Sequence, residues 1–158
     1  MLRCAALIAA GILAATAAGA AEDSGPELWV NPGMLSHHFK DDRDYREENY
    51  GLGVELFLTP RHGLLAGSFL NSNDERTRYV GYHWRPLQLA AGRLRFSGGL
   101  AFALMDGYSD VRDGNTFAVV LPALSLEYRA VGAHLIFLPH REHSSALALQ
   151  LRLRLWAW

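Results

Sequence analysis

The chain has 158 residues, half of them hydrophobic, with 15 lysines and arginines against 16 acids. So balanced a charge gives no electrostatic footing for nucleic acid, and beyond residue 20 no stretch offers the roughly 18 continuous apolar residues that a transmembrane helix needs. The one cysteine, Cys4, lies in a leader expected to be removed, which excludes thiol catalysis and cysteine-ligated zinc in the exported chain.

Met1 to Ala20 carries one positive charge, Arg3, then an apolar run from Ala5 to Ala18, and ends in Ala18-Gly19-Ala20 before Glu22 and Asp23. This is the pattern of a secretory signal peptide cleaved after Ala20. Residues 21–158 are expected to form a single domain.

From Glu27 onward, apolar and polar residues alternate with a period of two, in runs close to the length that a tilted strand needs to cross a bilayer. Eight runs are predicted: 27–39, 49–58, 63–70, 77–89, 93–104, 117–128, 131–138 and 146–157. The connections after the second, fourth and sixth are short, while the others are longer and polar. That asymmetry is expected of an outer-membrane barrel with tight periplasmic turns and longer external loops. The predicted fold is an all-β, eight-stranded antiparallel transmembrane barrel; a soluble lipocalin-like barrel, which also closes its edges, is the alternative.

Alternation assigns the faces. In the fifth run Leu94, Phe96, Leu100, Phe102 and Leu104 share one side; in the last, Leu147, Leu149, Leu151, Leu153 and Leu155 do. Both sets are predicted to face lipid, because a one-residue slip would carry arginines into hydrocarbon at about 2–4 kcal/mol each near the midplane. The inward positions near the short turns are then charged or polar (Glu55, Arg85, Arg93, Arg95, Glu127, His134, Arg152 and Arg154). Those near the long loops are small or apolar, among them Gly81, Ala101, Ala103, Leu121 and Ala148. An ionic plug below and an apolar chamber above suit a hydrocarbon ligand, although small residues facing a few large ones also suit a dry core. Pro32, Pro122 and Pro139 each remove a ladder donor and predict local gaps in the wall, through which a lipid tail can enter sideways.

Candidate chemistry gathers at the long-loop end. His37, His38 and Ser72 fall near strand ends there, and a histidine can take a proton from a hydroxyl and lend it to a leaving group. Asn71 can orient a reacting group or donate to an oxyanion. The acids Asp41, Asp42, Asp44, Glu47 and Glu48 can hold divalent ions that bridge lipid phosphates, or simply solvate a loop. Arg43, Arg46, Arg76, Arg78 and Arg112 can contact phosphates directly, and His140, His143 and Ser144 form a second possible His/Ser group. No nucleotide-binding glycine motif or helical zinc motif is present, so neither a metal nor a cofactor is assigned.

Several of these features occur together in a known arrangement: Pro32 before His37-His38-Phe39, the Asn71-Ser72 turn before Gly81-Tyr82, the Trp84-Arg85-Pro86-Leu87 strand end, and Leu121-Pro122 followed by Phe137-Leu138-Pro139. In these the sequence resembles the PagP family, the outer-membrane lipid A palmitoyltransferases, over nearly the whole chain after the leader. The runs NPGMLSHHF, NYGLGVE, NSNDERTRY, MDGY and RDG are similar to its divergent, shorter branch. That branch lacks the amphipathic N-terminal helix of the enterobacterial members, for which 21–27 leaves no room.

The resemblance implies transfer of a palmitoyl chain from a glycerophospholipid to lipid A in the outer leaflet, without a soluble cofactor. It implies that Ser72 is the essential serine and that Asn71 stands where enterobacterial members carry an aspartate, able to orient but not to supply charge. For the histidine, spacing from Pro32 and inward alternation favour His37, whereas the S-x-H-F form of the divergent branch favours His38; His38 is preferred, on the assumption of a bulge or twist at the strand end. Family members measure their acyl chain against a glycine at the chamber floor, and the ungapped match from Ser72 puts His83 there, where a side chain shortens the chamber. A lipid A deacylase or phospholipase using a pair such as His143 and Ser144, and a non-catalytic envelope-anchoring barrel, are the alternatives.

Overall fold

The structure, a computed structural model, describes residues 25–39, 45–109, 111–139 and 145–158. The expected leader, Asp41 to Asp44, and His140 to Ser144 lie outside them. Eight antiparallel strands, β1 (Glu27–His38), β2 (Glu48–Thr59), β3 (His62–Leu70), β4 (Arg76–Ala91), β5 (Leu94–Met105), β6 (Phe117–Tyr128), β7 (Val131–Leu138) and β8 (Ala146–Ala157), pair in chain order, and β8 returns to β1 to close the barrel. Two-residue turns join the strands at one end. Gly92 and Arg129 in those turns take φ of 61° and 54°, the left-handed geometry that matches hairpin twist.

Outside, the wall is a coat of exposed leucine, valine and aromatic side chains, such as Leu94, Phe96 and Leu104 on β5 and Leu149, Leu151 and Leu153 on β8. A coat this extensive would associate in water; as a band around a closed barrel it is the lipid-facing surface of a transmembrane fold. The soluble alternative fails on this face.

Inside, the end with the tight turns is ionic. Glu127 accepts from Arg85 at 2.6 Å and also pairs with Arg152, Arg95 bridges Glu127 and Glu27 at 2.6 and 2.8 Å, and Arg154 reaches Glu27 at 2.7 Å. Arg152 also donates to Glu55 at 2.8 Å, and its guanidinium carbon lies 4.2 Å from the centre of the Trp29 ring. Loss of one member of such a buried set costs about 3–5 kcal/mol, because its partners stay buried without their counter-charge. Two details correct the expected plug. Arg93 lies in the turn before β5 and is exposed, since alternation runs on through a tight turn without regard to where pairing ends. Glu27, at the first position of β1, joins the network instead.

Two bulges change the parity of strands. In β1 the register with β2 shifts between Asn31 and Gly33. Gly33 takes φ of 111°, and a side chain there would run into the Asn49 carbonyl, so the extra residue is accommodated only by glycine. Below the bulge Glu27, Trp29 and Asn31 point inward; above it Ser36 is buried and His37 exposed. In β4 the shift falls between Trp84 and Leu87, and Pro86 sits inside it, where a missing N–H takes nothing from the ladder.

Two seams are incomplete. Between β1 and β8 the ladder jumps from Val30↔Leu153 to Leu35↔Leu149, across Pro32. Between β6 and β7 it runs from Tyr128↔Val131 only to Ala123↔Ile136, although β6 continues past Pro122 to Phe117. These are gaps at two of the predicted prolines, and Pro139 follows directly on β7, whose upper end lies beyond the β6 pairing.

Candidate functional site

The upper half of the barrel holds two adjoining cavities. The rim cavity, about 130 Å³, is lined by His38, Tyr45, Ser72 and Tyr108 above and by Phe69, Met105 and Leu121 below. The deeper one, about 70 Å³, shares Phe69, Met105 and Leu121 with it and ends on Glu55, His83 and His134. Between rim and floor the lining is almost wholly apolar, with Ala101, Ala103 and Ala123 providing width.

Elements of the barrel wall and three loops position the rim. The β1 bulge turns His38 toward the cavity, where its imidazole stacks on Tyr45 with ring centres 4.1 Å apart and planes 11° apart. His37 takes the other side of the wall: it is exposed, its Nδ1 lies 3.3 Å from Glu47 Oε1, and it stands over Leu35 and Leu149. The structure therefore brings His38 and Ser72 to one cavity and leaves His37 outside it. Below them Ser36 donates to Asn49 Oδ1 at 2.7 Å, and Asn49 donates to the Leu70 carbonyl at 3.0 Å, tying β1, β2 and the end of β3 together.

Asn71 is fully buried and does structural work. Its Oδ1 accepts from the Asn73 and Glu75 amides at 2.9 and 3.0 Å, and its Nδ2 donates to the Gly107 carbonyl at 2.7 Å and Thr77 Oγ1 at 3.2 Å. An amide has two donors and two strong acceptor positions, and all four are occupied, which leaves none for an oxyanion. Asn71 thus holds the turn that carries Ser72 and staples it to the loop after β5. That turn is braced on both flanks. Arg46 donates its backbone N–H to the Ser72 carbonyl at 3.0 Å and forms an ion pair with Asp74, while Glu75 accepts from the Ser109 amide at 2.9 Å. Arg76, Arg78 and Arg112 are exposed.

Tyr45 and Tyr108 enter the rim from loops and carry no periodic signal that would announce them. Burial pushes the Tyr108 phenol up to about 12, against the opposing pull of its hydrogen bond with Thr77, so it stays a neutral wall of the cavity. The floor group of Glu55, His83 and His134 draws on β2, β4 and β7; inward alternation shows each as a candidate, but only the tilt and stagger of the strands bring them to one height.

No family model matches the chain. The lipid A acyltransferase PagP of Laribacter hongkongensis (strain HLHK9) is 29% identical over 108 residues, which make up 62% of this chain and 50% of the relative. The chain is similar to that PagP over the matched stretch. The match takes in half the length of that relative, and the resemblance read from Pro32, Asn71-Ser72 and the strand-end prolines accords with it. His83 closes the inner end of the chamber, and Phe57 and His134 pack beside it with ring centres 5.7 and 5.2 Å away.

Proposed function

We propose that the protein is an outer-membrane acyltransferase that moves a palmitoyl or similar chain from a glycerophospholipid to lipid A in the outer leaflet, after export by a leader cleaved at Ala20. The observation that carries this reading is the opening of His38 and Ser72 onto one apolar cavity that continues down the barrel to His83. The donor's acyl chain lies in that cavity with its ester at the rim, having entered through the gaps at Pro32 or Pro122. His38 takes the proton from the attacking lipid A hydroxyl and returns it to the departing glycerol oxygen, so the exchange of one ester for another balances without a cofactor. Ser72 hydrogen-bonds at the reacting carbonyl or the acceptor hydroxyl, and Asn71 is a positioning residue that acts through the turn. His83 shortens the chamber and favours a chain shorter than a glycine floor would admit.

The test uses refolded protein with lipid A and a phospholipid labelled in one acyl chain, and resolves products by mass spectrometry. Label on lipid A is the expected result, with its length reporting the chamber depth. Label found only in free fatty acid would replace transfer with hydrolysis, and intact lipids would point to a non-catalytic barrel.

A further inference from the structure

The chamber floor holds more polar chemistry than a hydrocarbon stop requires. Glu55, His83 and His134 are each at least 96% buried, and one ligand atom from each lies within 4.8 Å of the others. His83 Nε2 is buried with no hydrogen-bond partner among the described residues, a state that ordinarily costs free energy and needs a reason. We propose that these three residues form a binding site for a zinc-class divalent cation at the bottom of the barrel chamber.

The donor set fits. Two imidazoles and one carboxylate suit zinc and its neighbours rather than magnesium or calcium, which prefer all-oxygen shells. Around a tetrahedral ion with bonds of about 2.0–2.2 Å the ligand atoms stand roughly 3.3–3.6 Å apart, so these side chains must close by up to about 1.5 Å from their present separations within 4.8 Å. The supporting groups are those of a built site. Ser125 Oγ sits 2.7 Å from His134 Nδ1 and fixes the ring, leaving Nε2 toward the cluster 3.1 Å from Glu55 Oε1. Arg152 holds Glu55 by Oε2, and both carboxylate oxygens lie 3.1 Å from His134 Nε2, so Oε1 reaches the ion by giving up its contact with that imidazole. Gln150, opposite His134 in the β7–β8 ladder, lines the same cavity and offers a neutral oxygen. The Arg152 charge opposes a cation, so binding is expected to be weaker than in a site built from thiolates. The three residues line the lower chamber, through which an ion would reach them.

The test uses chelator-stripped protein refolded in detergent, titrated with Co(II) and then Zn(II). One Co(II) per barrel is expected, with the visible absorption of a low-coordinate ion, displaced by Zn(II). His83→Ala and the bulkier His83→Gln should each abolish that spectrum, and Ser125→Ala should weaken affinity about 10- to 100-fold. His62→Ala, which removes an exposed imidazole bonded to Tyr82, should leave it intact. Folding of every variant is scored by its heat-modifiable gel shift, and both His83 changes are needed so that misfolding of one does not decide the matter. No uptake by folded wild-type protein, uptake that survives both His83 changes, or loss in His62→Ala would each overturn the site. The readout is the metal's own spectrum, so it stands whether or not the barrel transfers acyl chains.

Discussion

The rim and the floor of the barrel are both polar, but they are held in opposite ways. At the floor, charges project from paired strands toward their tight-turn ends, and Glu27, Glu55, Glu127, Arg85, Arg95, Arg152 and Arg154 lock one another in place. At the rim, Ser72 and Tyr108 stand on loops, and the geometry depends on one buried amide and a few loop-to-loop hydrogen bonds. A strand-borne network is stiff and expensive to disturb, whereas a loop-borne site can exchange substrates but must be fastened locally. An apolar chamber lies between them, so the stiff ionic network and the loop-borne candidate site are separated along the barrel axis.

Substitutions should divide along the same axis. The largest effect is expected at the rim: His38→Ala or Ser72→Ala should lower acyl transfer by about 10²- to 10⁴-fold, with the urea midpoint of the refolded barrel unchanged, while His37→Ala retains activity. Equal losses from His37 and His38 would erase the distinction between the two sides of the wall. Next, Arg152→Met, which leaves Glu55 without its cation and removes one partner of Glu127, should cost about 3–5 kcal/mol in equilibrium unfolding; a neutral result would mean that the floor is wetter than its burial indicates. Asn71→Ala crosses the divide. It leaves the Gly107 carbonyl and two amides without a partner, and should cost about 1–3 kcal/mol together with activity, through disorder of the turn rather than loss of a reacting group. The smallest change in rate is expected from His83→Gly, which should shift the transferred chain toward greater length, read by product mass, with turnover maintained.

Much of this division was legible in the sequence. The period of two fixed eight strands within a residue or two, and the plug could be read because arginine in β8 has no tolerable outward position in hydrocarbon. Arg93 was misplaced for a physical reason: alternation does not reveal where pairing stops. The preference for His38 rested on an assumed bulge, because parity counted from Pro32 fails across one, and the sign of that bulge, a glycine directly after the proline, becomes decisive only once Gly33 is seen at φ of 111°. Asn71 read as a candidate for chemistry because a turn asparagine and a catalytic one look alike until its four partners are known. The meeting of Glu55, His83 and His134 lay beyond alternation altogether, since strand stagger sets height and no residue type encodes it.

The Glu27–Arg154 pair also bears on how the barrel assembles. These residues are 127 positions apart and stand on the two strands whose meeting closes the sheet. Before that seam forms, each would sit beside an open edge with its charge uncompensated across the seam, and an open edge is intolerable in hydrocarbon. The pair, like the ladder beside it, can form only when β8 meets β1, so closing the ring satisfies the strand edges and these charges together.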